Sequence, residues 1–257
     1  MVPTQFIRLL KLPEEQRTGF DLSSLQWVLH TAAPCPKWVK YAMIDWFGPV
    51  IIELYGSSEG TGPVICTSED WLAHPGSVGK ASPALTLSIV DDEGNDLPPG
   101  EIGTIYVLRV DGTPTYHGDP EKTSSIQLPD GRFTVGDIGW LDEDGFLYLA
   151  DRRTDLIIRG GTNIYPAEVE ATLSEHEGVA DVAVFGIPDE EFGQSVMAVI
   201  QPSDGSDVAT LADDICGFAD TRLARFKVPS TIEFRDELPR EASGKLKKRL
   251  LRDPYWE

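Results

Sequence analysis

Residues 151–170 read DRRTDLIIRGGTNIYPAEVE, and this stretch constrains the fold more than any other part of the sequence. The polar run Asp151–Asp155 precedes a short apolar run, Leu156–Ile158, which predicts a β-strand. Gly160-Gly161 predicts a sharp turn, or a place where a ligand approaches the backbone closely. Pro166 suits the first position of a helix. The polar run therefore separates two structural patterns, as either an interdomain hinge or a solvated surface turn would.

Downstream of this run, the pattern predicts a compact α+β domain over residues 156–257. Strand-like runs occupy Val179–Phe185, Val196–Ile200 and Ile232–Phe234. Between the second and third of these strands, apolar residues recur at helical spacing from Leu211 to Leu223. A basic helix is expected to close the chain.

Upstream of the run, residues 1–150 predict part of a larger domain. A strand over Leu25–Thr31, a helix over residues 37–47 and a strand ending at Tyr55 indicate a partial parallel α/β layer that extends to about residue 75. From residue 76 to 150, short strand-like runs alternate with turn clusters and predict an antiparallel β unit, a sandwich or a barrel. The predicted fold class is therefore α/β plus α+β, with residues 151–155 as the hinge.

The net charge of −20 disfavours nucleic acid and anionic membranes as partners over most of the surface. One region differs, because six basic residues and one acid lie between Arg240 and Arg252, where a polyphosphate could bind. No apolar run approaches the roughly 20 residues of a membrane-spanning helix. Three widely spaced cysteines show no metal-ligand spacing and predict reduced thiols in a cytoplasmic protein.

A predicted strand ends in a segment that could bind a nucleotide, Tyr55-Gly-Ser-Ser-Glu-Gly-Thr-Gly62. In open α/β sheets, ligands bind beyond the carboxyl ends of strands. The serine hydroxyls could contact phosphate oxygens, and the single carboxylate of Glu59 could hold a Mg²⁺ ion already bound to phosphates. A polar surface turn would account for the same residues equally well.

Two further residues are candidates of the same kind. Asp137 precedes a predicted turn at Gly139-Trp140, and it could accept hydrogen bonds from a ribose diol or simply cap that turn. Lys245 follows the flexible Gly244, and its compact charge suits phosphate or carboxylate oxygens. Its loop is not a phosphate-binding loop of the Walker type, because Pro239 stands where the first glycine should be. Taken singly, Asp137 is better explained as a turn cap and Lys245 as an ordinary surface lysine.

Taken together, the order, spacing and residues of these segments resemble those of the acyl-adenylate-forming superfamily. This superfamily includes acyl-CoA synthetases, peptide-synthetase adenylation domains and luciferases. The resemblance is strongest to fatty-acid and related acyl-CoA synthetases, covers essentially the whole chain, and is most specific from Gly136 to Gln201. It corresponds to the C-terminal half of such an enzyme.

The resemblance implies a role for each matching residue. The expected nucleotide-binding residues are Ala32, Ala33, Pro34, Tyr55, Gly56, Ser57, Asp137 and Arg152. Among them, the Ala32–Pro34 turn lines the adenine site and Tyr55 packs on adenine. Asp137, aided by Arg152, holds the ribose hydroxyls.

The expected catalytic residues are Ser58, which contacts the AMP phosphate, Glu59, which binds Mg²⁺, and Lys245, which stabilises charge during adenylation. Gly161 matches the glycine of the tunnel for the pantetheine arm of CoA. Thr154 occupies the hinge position, where the family usually has Asp or Lys, so its hinge energetics are expected to differ. The C-terminal domain is then a lid that rotates between the two half-reactions.

The implied activity is a carboxylate–CoA ligase that uses ATP, CoA and Mg²⁺ and makes acyl-AMP, then acyl-CoA. An acyl-AMP ligase serving a carrier protein and a non-catalytic or split-enzyme half are the alternatives. Medium- or long-chain fatty acids are the expected substrates, with steroid and aryl acids left open.

The resemblance also implies an upstream half that carries a Ser/Thr/Gly-rich loop with a lysine, which has no counterpart here. We therefore expect weak adenylation, or none, by this chain alone. An unpaired sheet edge and exposed apolar faces would then favour association with another copy or a separate N-terminal half.

Overall fold

The computed structural model describes residues 1–241 and 244–256. The chain forms two compact units, Pro3–Thr154 and Asp155–Glu257. The mixture of α/β and α+β elements confirms the predicted fold class. In the part of the chain that the structure describes, no helix is long and apolar enough to cross a membrane.

The first unit contains five short helices and two sheets within the residues that the structure describes. The helices are α1 (Pro3–Leu10), α2 (Glu14–Thr18), α3 (Lys37–Phe47), α4 (Ser68–Ala73) and α5 (Pro120–Ser125). The strands are β1 (Val28–His30), β2 (Ile51–Tyr55), β3 (Val64–Cys66), β4 (Lys80–Ala81), β5 (Leu85–Val90), β6 (Gly103–Arg109), β7 (Asp137–Leu141) and β8 (Leu147–Arg152).

The first sheet has the order β1-β2-β3-β4, and its first two strands are parallel, with Val28 paired to Ile51. Helix α3 connects these two strands over the residues that its periodicity predicts, 37–47. One face of β2 is buried, while Ile52 and Leu54 on its other face are only half-buried and Ile65 of β3 is 43% exposed. The parallel α/β layer is thus covered well on one face.

The second sheet is antiparallel throughout, in the order β5-β6-β7-β8. The predicted turn at Gly139-Trp140 is wrong, because both residues lie inside β7. A Cβ atom on Gly139 would lie 2.2 Å from the carbonyl oxygen of Tyr148 on β8. This glycine therefore allows two strands to approach closely, which a sequence pattern does not distinguish from a turn.

The second unit is a three-stranded sheet, in the order β11-β12-β13, with helices and a separate two-stranded hairpin. Its elements are β9 (Ile157–Arg159), β10 (Thr162–Ile164), α6 (Pro166–Leu173), β11 (Val179–Asp189), β12 (Gly193–Pro202), α7 (Val208–Asp220), β13 (Thr231–Phe234) and α8 (Lys248–Arg252), with short 3-10 helices at Arg225–Lys227 and Asp253–Tyr255. Val182 and Val184 of β11 pack with the residues of α6 and α7, whereas Ala183 and Phe185 pack with Leu251 of α8. The alternation of β11 therefore places apolar residues on both faces of the sheet.

A charged cluster is buried where β1, α3 and β2 meet. The Lys40 Nζ atom lies 2.9 Å from Glu53 Oε2 and also contacts His30 Nε2. Lys40 and His30 have no exposed surface, and Glu53 is 5% exposed. Burial and the nearby Lys40 charge lower the pKa of His30 to about 3. Burial also raises the pKa of Glu53, although Lys40 opposes this shift.

The depressed pKa of His30 predicts a specific dependence of stability on pH. Below pH 6.5, the unfolded chain takes up a proton at His30 that the folded chain does not, so the free energy of unfolding falls as the pH falls. Between pH 7 and pH 5, wild type should lose about 2 kcal/mol more stability than a His30→Gln variant. Urea denaturation followed by tryptophan fluorescence measures both losses. Equal losses in the two proteins would contradict the assignment of His30 as a buried neutral imidazole.

Candidate active site

The carboxyl ends of β1 and β2 bring two of the predicted nucleotide-binding segments to one edge of the first sheet. Because these strands are parallel, the Ala32–Pro34 turn after β1 and the Gly56–Gly62 segment after β2 start side by side. The hydroxyl of Thr31 donates a hydrogen bond to the carbonyl oxygen of Leu54 (2.7 Å) and ties the two segments together. Ala32 has φ of +77°, a left-handed conformation that is uncommon for a residue other than glycine.

Asp137 brings the second sheet to this edge. The Tyr55 hydroxyl donates to its Oδ2 atom (2.8 Å), and Arg152 Nε lies 3.3 Å from its Oδ1 atom. Arg152 reaches this position because it pairs directly with Asp137 across β7 and β8. Asp137 is 8% exposed, so these contacts compensate a carboxylate that is largely removed from water. Three predicted nucleotide-binding residues are therefore in direct contact.

The Tyr55 ring belongs mainly to the core of the first unit. It is 9% exposed and packs with Val64, Val78 and Ile89. Burial, followed by the adjacent Asp137 charge, raises the pKa of the Tyr55 hydroxyl, which therefore stays a donor. A ligand at this edge could contact only the small part of the ring that remains exposed.

The two ends of the Gly56–Gly62 segment lie very close together. A Cβ atom on Gly62 would lie 2.5 Å from the Tyr55 carbonyl oxygen and 2.8 Å from the Cα atom of Gly56. The two glycines therefore let the chain leave β2 and return to β3 through a close backbone contact. This arrangement holds Ser57, Ser58 and Glu59 in a short loop beyond the strand end.

Glu59 is surrounded by hydroxyl groups. Ser58 donates to its Oε2 atom (3.0 Å), and the Tyr116 hydroxyl donates to Oε1 (3.4 Å). Partial burial raises the pKa of Glu59, but hydrogen bonds from its own backbone N–H and from the Ser58 and Tyr116 hydroxyls outweigh this effect and lower the pKa. Glu59 is therefore ionised at neutral pH, as a ligand of Mg²⁺ must be.

Tyr116 was not among the residues predicted from the sequence. It lies 57 residues from Glu59, and Lys122 Nζ lies 4.0 Å from the centroid of its ring. No short-range pattern links such distant residues. Across residues 1–241 and 244–256, no group of three or more His, Cys, Asp or Glu side chains could hold a metal ion. In the described residues, Glu59 is therefore not part of a cluster of three such side chains.

In the second unit, the predicted Gly160-Gly161 turn joins β9 and β10. Arg159 pairs with Thr162, and the two intervening glycines have φ of +56° and +79°. Positive φ at both central residues defines a type I′ hairpin turn, for which glycine is favoured. A Cβ atom on Gly161 would meet no atom within 4 Å, so this turn is open to a ligand.

Lys245 lies in a loop bracketed by a β-bridge between Arg240 and Leu246, and its side chain is exposed. Gly161 and Lys245 both belong to the second unit, whereas Thr154 is the last residue of the first. Strand β8 includes Asp151 and Arg152, so two of the five residues of the proposed hinge segment are strand.

The sequence matches two parts of one enzyme family. The family described as AMP-binding enzyme matches residues 1–117, and AMP-binding enzyme C-terminal domain matches residues 168–245. The chain is 41% identical over 254 residues to a long-chain-fatty-acid–CoA ligase of Bacillus subtilis, covering 98% of this chain and 44% of that enzyme. It is 38% identical over 248 residues to a feruloyl-CoA synthase of Amycolatopsis sp, covering 96% of this chain and 49% of the relative.

A solved structure gives the same result. The ATP-bound MatB of Rhodopseudomonas palustris superposes with a TM-score of 0.85 at 34% identity, covering 99% of this chain and 50% of that one. The chain belongs to the adenylate-forming superfamily of AMP-binding enzymes, which confirms the resemblance seen in the sequence, and corresponds to the C-terminal part of its longer members. It spans about half the length of the relatives that it matches.

The contact between Tyr55 and Asp137 can be tested by stability alone. Tyr55→Phe removes the donor that satisfies a buried carboxylate oxygen, so the free energy of unfolding should fall by about 1–3 kcal/mol in urea denaturation. Tyr41→Phe is the matched control, because Tyr41 is 46% exposed. A Tyr55→Phe protein as stable as the Tyr41→Phe control would show that the hydrogen bond to Asp137 contributes nothing.

Proposed function

We propose that the chain supplies the nucleotide-binding edge and the C-terminal lid of an AMP-forming carboxylate–CoA ligase. The observation that carries the proposal is the buried Asp137 carboxylate, held by Tyr55 and Arg152 at the edge where β1 and β2 end. A carboxylate has about four acceptor positions, so Asp137 can accept the two ribose hydroxyls while it keeps both protein contacts. The relatives named as CoA ligases and the ATP-bound neighbour support the same assignment.

In the first half-reaction, an oxygen of the substrate carboxylate attacks the α-phosphorus of ATP. The new acyl–phosphate bond forms as the bond to pyrophosphate breaks, and pyrophosphate leaves with that electron pair. The Ala32–Pro34 turn would face adenine and Ser58 the α-phosphate. Glu59 would hold Mg²⁺, which neutralises phosphate charge. Lys245 would offset the negative charge that develops on the reacting oxygens.

In the second half-reaction, the C-terminal unit would rotate about residues 151–155 and present the Gly161 turn to the acyl-adenylate. The CoA thiolate attacks the acyl carbon, a thioester bond forms, and AMP leaves. Thr154 is the proposed hinge residue at the boundary between the two units. The open space at Gly161 supports its role beside the pantetheine arm, because a side chain there would enter that space.

Fatty or related acids are the proposed acyl substrates, because the 41% identical relative is named as a long-chain-fatty-acid–CoA ligase. The relatives are about twice as long, and the half-buried face formed by Ile52, Leu54 and the exposed Ile65 is apolar. We therefore propose that efficient adenylation requires the region of the relatives that residues 1–257 do not cover, and that an N-terminal half or another copy of this chain covers this apolar face.

Acyl-CoA formation tests this function. The chain is combined with the part of the Bacillus subtilis relative that it does not cover, and ATP, Mg²⁺, CoA and a panel of fatty acids are added. Mass spectrometry should detect acyl-CoA, and Lys245→Ala should lower the rate by about 10²–10³-fold. Lys245→Ala should leave thioester formation from a supplied acyl-adenylate intact. Product formation by Lys245→Ala at the wild-type rate would overturn the role of Lys245, and transfer only to a carrier protein would indicate the alternative ligase.

Nucleotide binding provides a test that needs no turnover. Arg152→Gln removes the charged partner of Asp137, and the affinity for AMP should fall about tenfold in isothermal titration calorimetry. Arg153→Gln is the matched control, since the adjacent Arg153 pairs with Asp92 (2.8 Å) instead. Equal affinities in the two variants would show that Arg152 has no part in the nucleotide site.

A further inference from the structure

Backbone hydrogen bonds join residues 239–241 to residues 244–247, and these described residues are called the Lys245 loop below. The N–H of Glu241 donates to the Lys245 carbonyl oxygen (2.9 Å), and the N–H of Lys247 donates to that of Pro239 (2.8 Å). Gly244, immediately before the lysine, has φ of +89°. Gly244 can adopt this left-handed conformation, but a glycine can also adopt many others. Other contacts of the loop are therefore needed to hold Lys245 in one position.

Arg240 provides a fixed point on the loop. Its Nε and Nη2 atoms donate to the two oxygens of Asp181 at 2.8 and 2.7 Å, and Nη1 donates to the Gly244 carbonyl oxygen at 2.6 Å. The side chains of Arg240 and Asp181 are 18% and 13% exposed, so this bidentate pair is partly shielded from water. The planar guanidinium therefore connects a strand residue to the peptide group that precedes Lys245.

Asp181 is displaced by an irregularity in β11. Val179 pairs with Pro202 and Asp181 pairs with Gln201, so β11 contains one extra residue at this point. Such β-bulges redirect side chains and are frequent beside active sites. The neighbouring Val182 and Ala183 are buried, which gives Asp181 a rigid base.

The chain beyond the loop is also attached to the folded unit. Lys248 Nζ lies 2.9 Å from Glu170 Oε1, and the same carboxylate oxygen accepts the N–H of Val184 (2.7 Å). Both ends of the Lys245 loop are thus tied to groups on or beside β11.

We propose that Arg240 and Asp181 are positioning residues that hold the Lys245 loop in the conformation required for adenylation. The proposal rests on the proposed function of Lys245. Lysine cannot replace Arg240, because a single ammonium group cannot bind both Asp181 oxygens in a planar fork and also reach Gly244. The pair acts only through Lys245, so it serves the first half-reaction and not the transfer to CoA.

Amide hydrogen exchange on the 257-residue chain tests the structural part. Arg240→Gln should speed exchange of the Glu241 and Lys247 amides at least about tenfold, while β12 amides keep the wild-type rate. Arg235→Gln is the matched control, because Arg235 pairs with Glu233 (2.6 Å) away from this loop. Wild-type exchange of the loop amides in Arg240→Gln would overturn the proposal. If the β12 amides also exchange faster in Arg240→Gln, the same measurement is made on Arg240→Lys. Faster exchange of its loop amides supports the proposal, and wild-type exchange of those amides overturns it.

The two half-reactions test the functional part, in the combined system described above. Arg240→Gln and Arg240→Lys should each lower kcat for ATP–pyrophosphate exchange at least about tenfold, with KM for ATP within about twofold. Thioester formation from a supplied acyl-adenylate should stay at the wild-type rate. Loss of both half-reactions, or rescue of exchange by Arg240→Lys, would overturn the positioning role.

Lys245→Ala separates the two claims. If Lys245→Ala abolishes exchange and Arg240→Gln does not, the positioning role fails and the proposed function stands. If Lys245→Ala leaves exchange intact, the proposed function of Lys245 fails, and with it the positioning role.

Discussion

The carboxylate of Asp137 is buried at the first residue of β7, and an ionised group in that position requires compensation. Tyr55 supplies it from the end of β2 and Arg152 from β8, so one carboxylate joins the two sheets of the first unit. Burial of the Tyr55 ring in the core fixes its hydroxyl, and strand pairing fixes Arg152. The proposed nucleotide-binding edge is therefore held by the same contacts that join the two sheets of this unit.

The second unit contributes a different kind of element. Its two proposed functional residues lie on turns, Gly161 in a tight type I′ hairpin and Lys245 in a loop fixed by Arg240. The core of this unit covers both faces of β11, so each turn extends from a rigid sheet. For the proposed lid, this arrangement would keep the shape of both turns while the unit serves the two half-reactions. In the proposed mechanism, the Asp181–Arg240 pair holds Lys245, which acts only in the first half-reaction.

Local patterns predicted much of this architecture. Helix α3 lies where its periodicity placed it, and the Gly160-Gly161 turn has the conformation that two glycines favour. Gly139 was misread, because glycine marks a close strand contact and a turn equally well. Tyr116 and Asp181 could not be found by such patterns, since each meets its partner, Glu59 or Arg240, across more than 50 residues of chain. The β-bulge that directs Asp181 exists only once β11 and β12 have paired.

We propose that Asp137 binds a ribose diol, and a comparison of two nucleotides tests this role. AMP and 2′,3′-dideoxy-AMP share the base and the phosphate and differ only in the two hydroxyls that Asp137 would accept. Isothermal titration of the wild-type chain should show that AMP binds at least about tenfold more tightly, because a buried carboxylate site discriminates against a ligand that leaves it unsatisfied. Equal affinity for the two nucleotides would contradict the account, since Asp137 would then serve only to join the two sheets.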